Sequence, residues 1–167
     1  FASQKLWSLK IIPMINDFYF LSGDDVTSRF LSGHLTASLA RDNRSVEVLR
    51  GRLKDIIPTV WIGRSDSEKN VRTEFSEVFV SLGAPSSMSL YNEEIVGVIV
   101  SNVTTNRSWA VRRQCYRALS LLASHLVSAR ETLFKTLGVV LSETQQSKQA
   151  WKGKGSMLRS LAALLSV

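Results

Sequence analysis

The chain has 167 residues, of which 44% are hydrophobic, a size and composition suited to one folded domain or to a few helical repeats. An apolar content this high excludes an intrinsically disordered chain. The formal net charge of +7 favours partners with acidic or phosphate-bearing surfaces, although charge alone does not choose between them.

Apolar residues recur every three or four positions along most of the chain, and this spacing predicts amphipathic α-helices. Turn and N-cap residues separate the helices, as at Asp24-Asp25, Asp42-Asn43 and Gly83-Ala84-Pro85. No alternating stretch favours a strand. The sequence therefore predicts helices near residues 4–20, 25–41, 45–61, 67–83, 87–104, 107–127, 129–144 and 148–166.

Two of the predicted helices contain a proline. Ile11-Ile12-Pro13 recurs as Ile56-Ile57-Pro58 at an offset of 45 residues. A proline inside a helix removes one backbone donor and crowds the preceding turn. We therefore expect both helices to be kinked at their proline.

The helices repeat with a period near 40 residues. The helix after Trp109 matches the helix after Trp151 at an offset of 42, and the helix after Val71 matches the helix after Val111 at an offset of 40. A further step of 40 residues places three leucines of the first repeat on the same apolar stripe, and these are Leu31, Leu35 and Leu39. Helix pairs of this kind bury their apolar faces only by stacking into a solenoid.

The repeat pattern predicts an all-α fold, a HEAT-like helical-repeat solenoid of about four antiparallel helix pairs. Asp66 before Val71-Arg72 and Asn106 before Val111-Arg112 are typical of the HEAT repeat. The approximate repeats are 1–42, 43–84, 85–127 and 128–167, and together they form one segment of a longer protein. The apolar stripes predict buried positions at Cys115, Leu119, Leu122, Leu161 and Leu164.

Two tryptophan segments carry a resemblance to a known family. Ser108-Trp109 opens an amphipathic helix, and Trp151-Lys152-Gly153-Lys154 opens a leucine-rich helix about one repeat later. Across roughly residues 56–167, this order and spacing resemble the C-terminal repeats of the eukaryotic proteasome adaptor and scaffold family. The resemblance implies a large HEAT-repeat protein that clamps the regulatory and core particles of the proteasome, acts in proteasome quality control and tethers proteasomes to other structures.

Basic side chains cluster near the starts of the helices that open at Trp109 and Trp151. Equivalent positions in stacked repeats share one surface, which predicts a continuous basic ridge for an acidic protein partner. Two other interpretations stay open, namely that the tryptophans pack between repeats and that the charges are merely solvated. The predicted protein-binding residues are Trp109, Arg112, Arg113, Arg117, Trp151, Lys152, Lys154 and Arg159.

The sequence offers little catalytic chemistry. His34 and His125 fall in different repeats, neither is four residues from another metal-ligating residue, and Glu93-Glu94 point about 100° apart on a helix. Residues 151–156 lack the upstream glycine of a nucleotide phosphate loop. We therefore expect a protein that is not an enzyme and that uses no cofactor, metal or small-molecule substrate.

The chain shows neither a run of about 18 apolar residues nor a secretory leader pattern, so we expect no transmembrane segment and a cytoplasmic or nuclear location. The leading hypothesis is a protein-binding scaffold, with the proteasome particles as the partners that the resemblance implies. One alternative is a nucleic-acid-binding repeat that uses the basic ridge. Another is a HEAT-repeat protein of transport or of the cytoskeleton.

Overall fold

The computed structural model describes residues 2–125 and the single residues 138, 142 and 162. Within this part of the chain the secondary structure is helical and contains no strand, which confirms the predicted all-α class there. A 3-10 turn, Met88–Tyr91, precedes α7. The α-helices are α1 (Ala2–Phe20), α2 (Val26–Arg41), α3 (Ser45–Arg50), α4 (Leu53–Gly63), α5 (Lys69–Ser81), α6 (Ala84–Ser87), α7 (Asn92–Thr105) and α8 (Trp109–His125).

The helices differ from the prediction at three places, one of which is α6, because Ala84–Ser87 form a short helix where a turn was predicted. The predicted helix 45–61 is two helices, α3 and α4, separated at Gly51, which ends α3 and has a low helix propensity. The predicted helix 87–104 becomes the 3-10 turn followed by α7. Pro13 and Pro58 lie inside α1 and α4 and end neither helix, and the kink expected at each proline stays a prediction. The predicted helices 129–144 and 148–166 lie outside the described residues.

Helices that are close in sequence pack against each other in pairs. The first pair is α1 with α2, the second is α4 with α5, and the third is α7 with α8. The first and second pairs meet mainly between α2 and α5, and the second and third between α4 and α7. This packing is compatible with an α-solenoid, while its assignment to the HEAT type stays a prediction.

The buried face of α2 is not the predicted leucine stripe. Leu31 is 49% exposed, and Leu35 and Leu39 are only partly buried. The offset of 40 residues is therefore wrong for the first repeat, and α2 matches α5 at an offset of 42 instead. The residues that α2 buries are small or polar, namely Arg29, Ser32, Gly33, Thr36, Ala37 and Ala40.

Small residues on α2 allow a close approach to α5. A Cβ atom on Gly33 would lie 3.1 Å from both the Cβ of Glu74 and the Cε2 of Phe75, which is tighter than ordinary side-chain contact. Large residues on α5 thus fill the space that small residues on α2 leave. Hydrophobic periodicity could not reveal this face, because its members are mostly not hydrophobic.

The predicted stripe of α8 is confirmed. Cys115 and Leu122 are completely buried and Leu119 is 3% exposed, all within one core cluster that extends through the three pairs. Trp61 of α4 reaches into this cluster and donates a hydrogen bond from Nε1 to the carbonyl oxygen of Ala118, 3.0 Å away. The predicted burial of Leu161 and Leu164 concerns residues outside the described part.

The first and third pairs also touch directly. The Nδ2 of Asn106 donates to the carbonyl oxygen of Phe20 at 3.0 Å, and the Oγ of Ser108 contacts the Asp24 carboxylate at 2.7 Å. A Cβ atom on Gly23 would lie 2.0 Å from the Cγ2 of Val111, so only glycine fits at this position. In a solenoid each repeat contacts only its neighbours, whereas here the first helix pair also contacts the third.

Candidate functional site

The start of α8 is held by two side-chain caps. Ser108 is the N-cap residue, and its Oγ accepts a hydrogen bond from the backbone N–H of Val111 at 3.1 Å. The Oδ1 of Asn106 accepts from the backbone N–H of Ser108 at 2.9 Å. These caps fix the residue at which α8 begins, and with it the direction of the basic side chains in its first two turns.

Trp109 is a packing residue in this structure. Its indole is partly buried against the hydrophobic core, and the Arg112 guanidinium carbon lies 5.5 Å from the centre of the ring. Arg112 is itself half-buried, so it presents little charge to a partner. Of the two interpretations of Trp109, this geometry favours packing between helix pairs over an exposed contact residue.

Arg113 and Arg117 are the exposed part of the predicted basic ridge. They are four residues apart on α8 and therefore lie on one face of the helix. Neither has an ion pair or hydrogen bond with another described residue. The other predicted residues of the ridge, Trp151, Lys152, Lys154 and Arg159, lie outside the described residues.

A buried polar network that the sequence analysis did not predict joins all three helix pairs. The Nε of Arg29 donates to the Asp66 carboxylate at 2.8 Å, and the hydroxyl of Tyr19 donates to the same oxygen at 3.0 Å. Gln114 of α8 approaches the other Asp66 oxygen at 3.5 Å. Arg29 is 2% exposed and Asp66 is fully buried, so this charge pair is removed from water.

The network sets the protonation of its members. Burial alone would lower the pKa of the Arg29 guanidinium, but the hydrogen bond and the charge of Asp66 outweigh burial and raise it. Burial and then the Asp66 charge raise the pKa of the Tyr19 hydroxyl well above its ordinary value. Arg29 therefore stays charged and Tyr19 neutral, and the network is a fixed structural element.

The sequence contains little signal for this network. The register set by burial aligns Arg29 of α2 with Val71 of α5, 42 residues later, so Arg29 and Arg72 do not occupy equivalent positions. The Arg72 guanidinium binds backbone instead of a carboxylate, donating to the carbonyl oxygens of Asp66 and Ser67, each at 2.6 Å. The burial of Arg29 beside Asp66 depends on tertiary packing that the repeat pattern does not reveal.

A cavity of about 660 Å³ lies beside this network, between the turn that follows α4 and the outer face of α8. Three of its described lining residues are arginines, and the one carboxylate among them, that of Asp66, is paired with Arg29. Arg117 and Leu121 are exposed, so the cavity reaches the surface. The lining residues are Arg64, Ser65, Asp66, Arg72, Tyr116, Arg117, Ser120 and Leu121.

The guanidinium group of Arg64 packs against aromatic rings and not against an anionic group. Its guanidinium carbon lies 3.9 Å from the centre of the Phe79 ring and 5.0 Å from that of Trp61. Cation–π contact of this kind positions the group without neutralising it. Burial lowers the pKa of the Arg64 guanidinium, and its Nε is buried without a hydrogen-bond partner.

Other features of the described residues add no further site. No three of their His, Cys, Asp and Glu side chains come together as metal ligands would. None of the helices in residues 2–125 combines the length and apolar character needed to cross a membrane. Comparisons of the chain with protein-family models, curated proteins and solved structures find no match. The arginine cavity and the exposed face of α8 are thus the candidate site.

Proposed function

We propose that this chain is a segment of a protein-binding scaffold, and that it binds an acidic protein surface through the exposed basic face of α8. The observation that carries the proposal is the pair Arg113 and Arg117. Like charges four residues apart on a helix destabilise it by about 0.2–0.5 kcal/mol, and no described carboxylate neutralises either one. An acidic partner would supply the missing charge.

The kind of scaffold is proposed from the resemblance of residues 56–167 to the proteasome adaptor and scaffold family. On this proposal the parent protein binds the regulatory and core particles of the proteasome in the cytoplasm or nucleus. On this proposal Trp109 contributes by holding the start of α8 against the core, where its ring is partly buried. The contacting groups are the arginines.

The test is capture of proteasome subunits from a cell extract by the parent protein that carries Arg113→Glu and Arg117→Glu. We expect capture to fall by at least about tenfold, since charge reversal replaces attraction with repulsion. The matched control carries Arg44→Glu and Lys54→Glu, which change the net charge equally at exposed positions outside α8. Both variants should keep the melting temperature, because exposed charges contribute little to stability.

Equal capture by the two variants would overturn the role of the α8 face. Recovery of transport or cytoskeletal proteins in place of proteasome subunits would support the other HEAT-repeat alternative. The nucleic-acid alternative makes a separate prediction, which is binding to an arbitrary duplex with an affinity that falls steeply as salt increases.

A further inference from the structure

The described lining of the cavity beside α8 has an excess of positive charge. It includes Arg64, Arg72 and Arg117, and the only carboxylate among the described lining residues, that of Asp66, already forms the buried pair with Arg29 at 2.8 Å. Neither Arg64 nor Arg117 pairs with a carboxylate among the described residues. An anionic ligand would supply the counter-charge that these guanidinium groups lack within the described part of the chain.

Two donors at the cavity have no acceptor. The hydroxyl of Ser65 is buried, in a residue that is 5% exposed, and it has no hydrogen-bond partner. The Nε of Arg64, the preceding residue, is also buried and unpartnered. Buried donors are satisfied in nearly all folded proteins, and leaving one unsatisfied costs about 1–3 kcal/mol. Two such donors on adjacent residues of one cavity indicate a ligand with several acceptor oxygens.

We propose that this cavity binds a phosphomonoester group carried by a protein partner, as on a phosphorylated serine or threonine. The inference rests on the proposed function in that it takes the partner to be a protein. A phosphomonoester carries about −1.5 to −2 charges and three acceptor oxygens, which matches three guanidinium groups better than one carboxylate does. Guanidinium forks bind phosphate oxygens in pairs, and clusters of arginine are the usual receptors of phosphorylated segments.

The size and the opening of the cavity fit this ligand. A volume of about 660 Å³ is in the range of small-ligand sites and accommodates a phosphorylated side chain with part of its backbone. Arg117 is exposed and can meet the ligand as it enters, while Arg72 is already oriented by its bonds to the carbonyl oxygens of Asp66 and Ser67. Arg64 is held by Phe79 and Trp61, so little side-chain freedom remains to be lost on binding.

The experiment measures binding of N-acetyl-O-phosphoserine amide to the 167-residue chain by calorimetry or by NMR. We expect saturable binding that weakens at least about tenfold in Arg64→Met and in Arg117→Met, because each removes a charge-assisted contact. Arg44→Met is the control, since Arg44 is exposed, lies outside α8 and is not among the described residues that line the cavity. This control should bind as the unmodified chain does.

Several outcomes would overturn the inference. These are no saturable binding, an equal loss in Arg44→Met, and equally tight binding of N-acetylglutamate amide or of inorganic phosphate alone. The last two would show a carboxylate site or a free-phosphate site. Arg117→Met should keep the melting temperature of the unmodified chain, because Arg117 is exposed and has no ion pair with another described residue, so a loss of binding in this variant reports on the site and not on folding.

Phosphatase treatment of the captured partner separates this inference from the proposed function. If the treated partner still binds and still requires Arg113 and Arg117, the scaffold function stands and the phosphate site is wrong. If phosphoserine binds the cavity but charge reversal on α8 leaves capture unchanged, the phosphate site stands and the proposed use of the α8 face is wrong.

Discussion

Arg29 and Asp66 form the one ion pair in residues 2–125 in which both side chains are enclosed by the core. Asp66→Asn would leave the Arg29 charge buried without its counter-ion, and we expect a loss of about 3–5 kcal/mol in the free energy of unfolding, measured by urea denaturation. Glu47→Gln is the control, because it breaks the exposed pair with Arg50 and should cost at most about 1 kcal/mol. An equal loss of stability in the two variants would show that water reaches the Arg29–Asp66 pair.

The Cys115 thiol should be inert in the folded protein. Burial in the apolar core raises its pKa far above the ordinary value, so the reactive thiolate is scarce at pH 8. We expect no alkylation by iodoacetamide under native conditions and complete alkylation in a denaturing concentration of urea. Rapid native labelling would mean that α8 opens often enough to expose its buried face.

Substitution by alanine should change the stability in opposite directions at two glycines that lie within helices. A Cβ atom on Gly63 of α4 would lie 2.2 Å from the Cδ2 of Phe75, whereas one on Gly97 of α7 would meet nothing within 4 Å. Gly63→Ala should therefore cost about 1–3 kcal/mol of stability through overpacking. Gly97→Ala should add about 0.5–1 kcal/mol, since alanine favours the helix. The same sign for both in thermal unfolding would contradict the contact between α4 and α5.

A second comparison separates the two leucine stripes. Leu122 is completely buried on α8, and Leu122→Ala should cost about 2–5 kcal/mol. Leu31 on α2 is about half exposed, and Leu31→Ala should change stability by no more than about 0.5 kcal/mol. Urea denaturation of both variants checks the register of the two helices independently. A large loss of stability in Leu31→Ala would show that α2 buries its leucine face.

The two stripes show how far the sequence could predict helix packing. On α8 the predicted stripe is apolar at helical spacing, so periodicity alone identified Cys115, Leu119 and Leu122, although it did not identify the buried Gln114. On α2 the buried face includes Arg29, Ser32 and Gly33, whose burial depends on how closely α5 approaches and on a carboxylate 37 residues away. Periodicity measures the hydrophobicity of a face and carries no information about such partners.

The candidate site was predictable to a similar extent. Sequence spacing placed Arg113 and Arg117 together, because both belong to the same helix. The cavity also requires Arg64 and Arg72, which come from the second helix pair and reach α8 only through tertiary packing. The tryptophan at the start of α8 left two interpretations open in the sequence, packing between repeats and contact with a partner, and its partial burial against the core depends on the neighbouring pairs.

At the scale of the molecule, the direct contact between the first and third helix pairs should couple the local opening of regions that are distant in sequence. Gly23→Ala places a Cβ atom 2.0 Å from the Val111 side chain, so the turn after α1 must move away from α8. We expect amide hydrogen exchange to accelerate in α2 and in α8 together. Gly51→Ala is the control, since its Cβ atom meets only ordinary contacts at 3.5 Å. Acceleration confined to residues near Gly23 would contradict the coupling.

The contact between the first and third helix pairs should also affect how residues 2–125 respond to a pulling force. Chains of stacked helix pairs stretch gradually, because each pair rocks against its neighbour while distant pairs never meet. Here the bonds from Asn106 to Phe20 and from Ser108 to Asp24 tie the first pair to the third across the second. Tension that separates those pairs must break both bonds before the second pair can flex. Residues 2–125 would therefore resist a small pull as a stiff unit and yield in one abrupt step, which a force–extension trace would record as a single rupture.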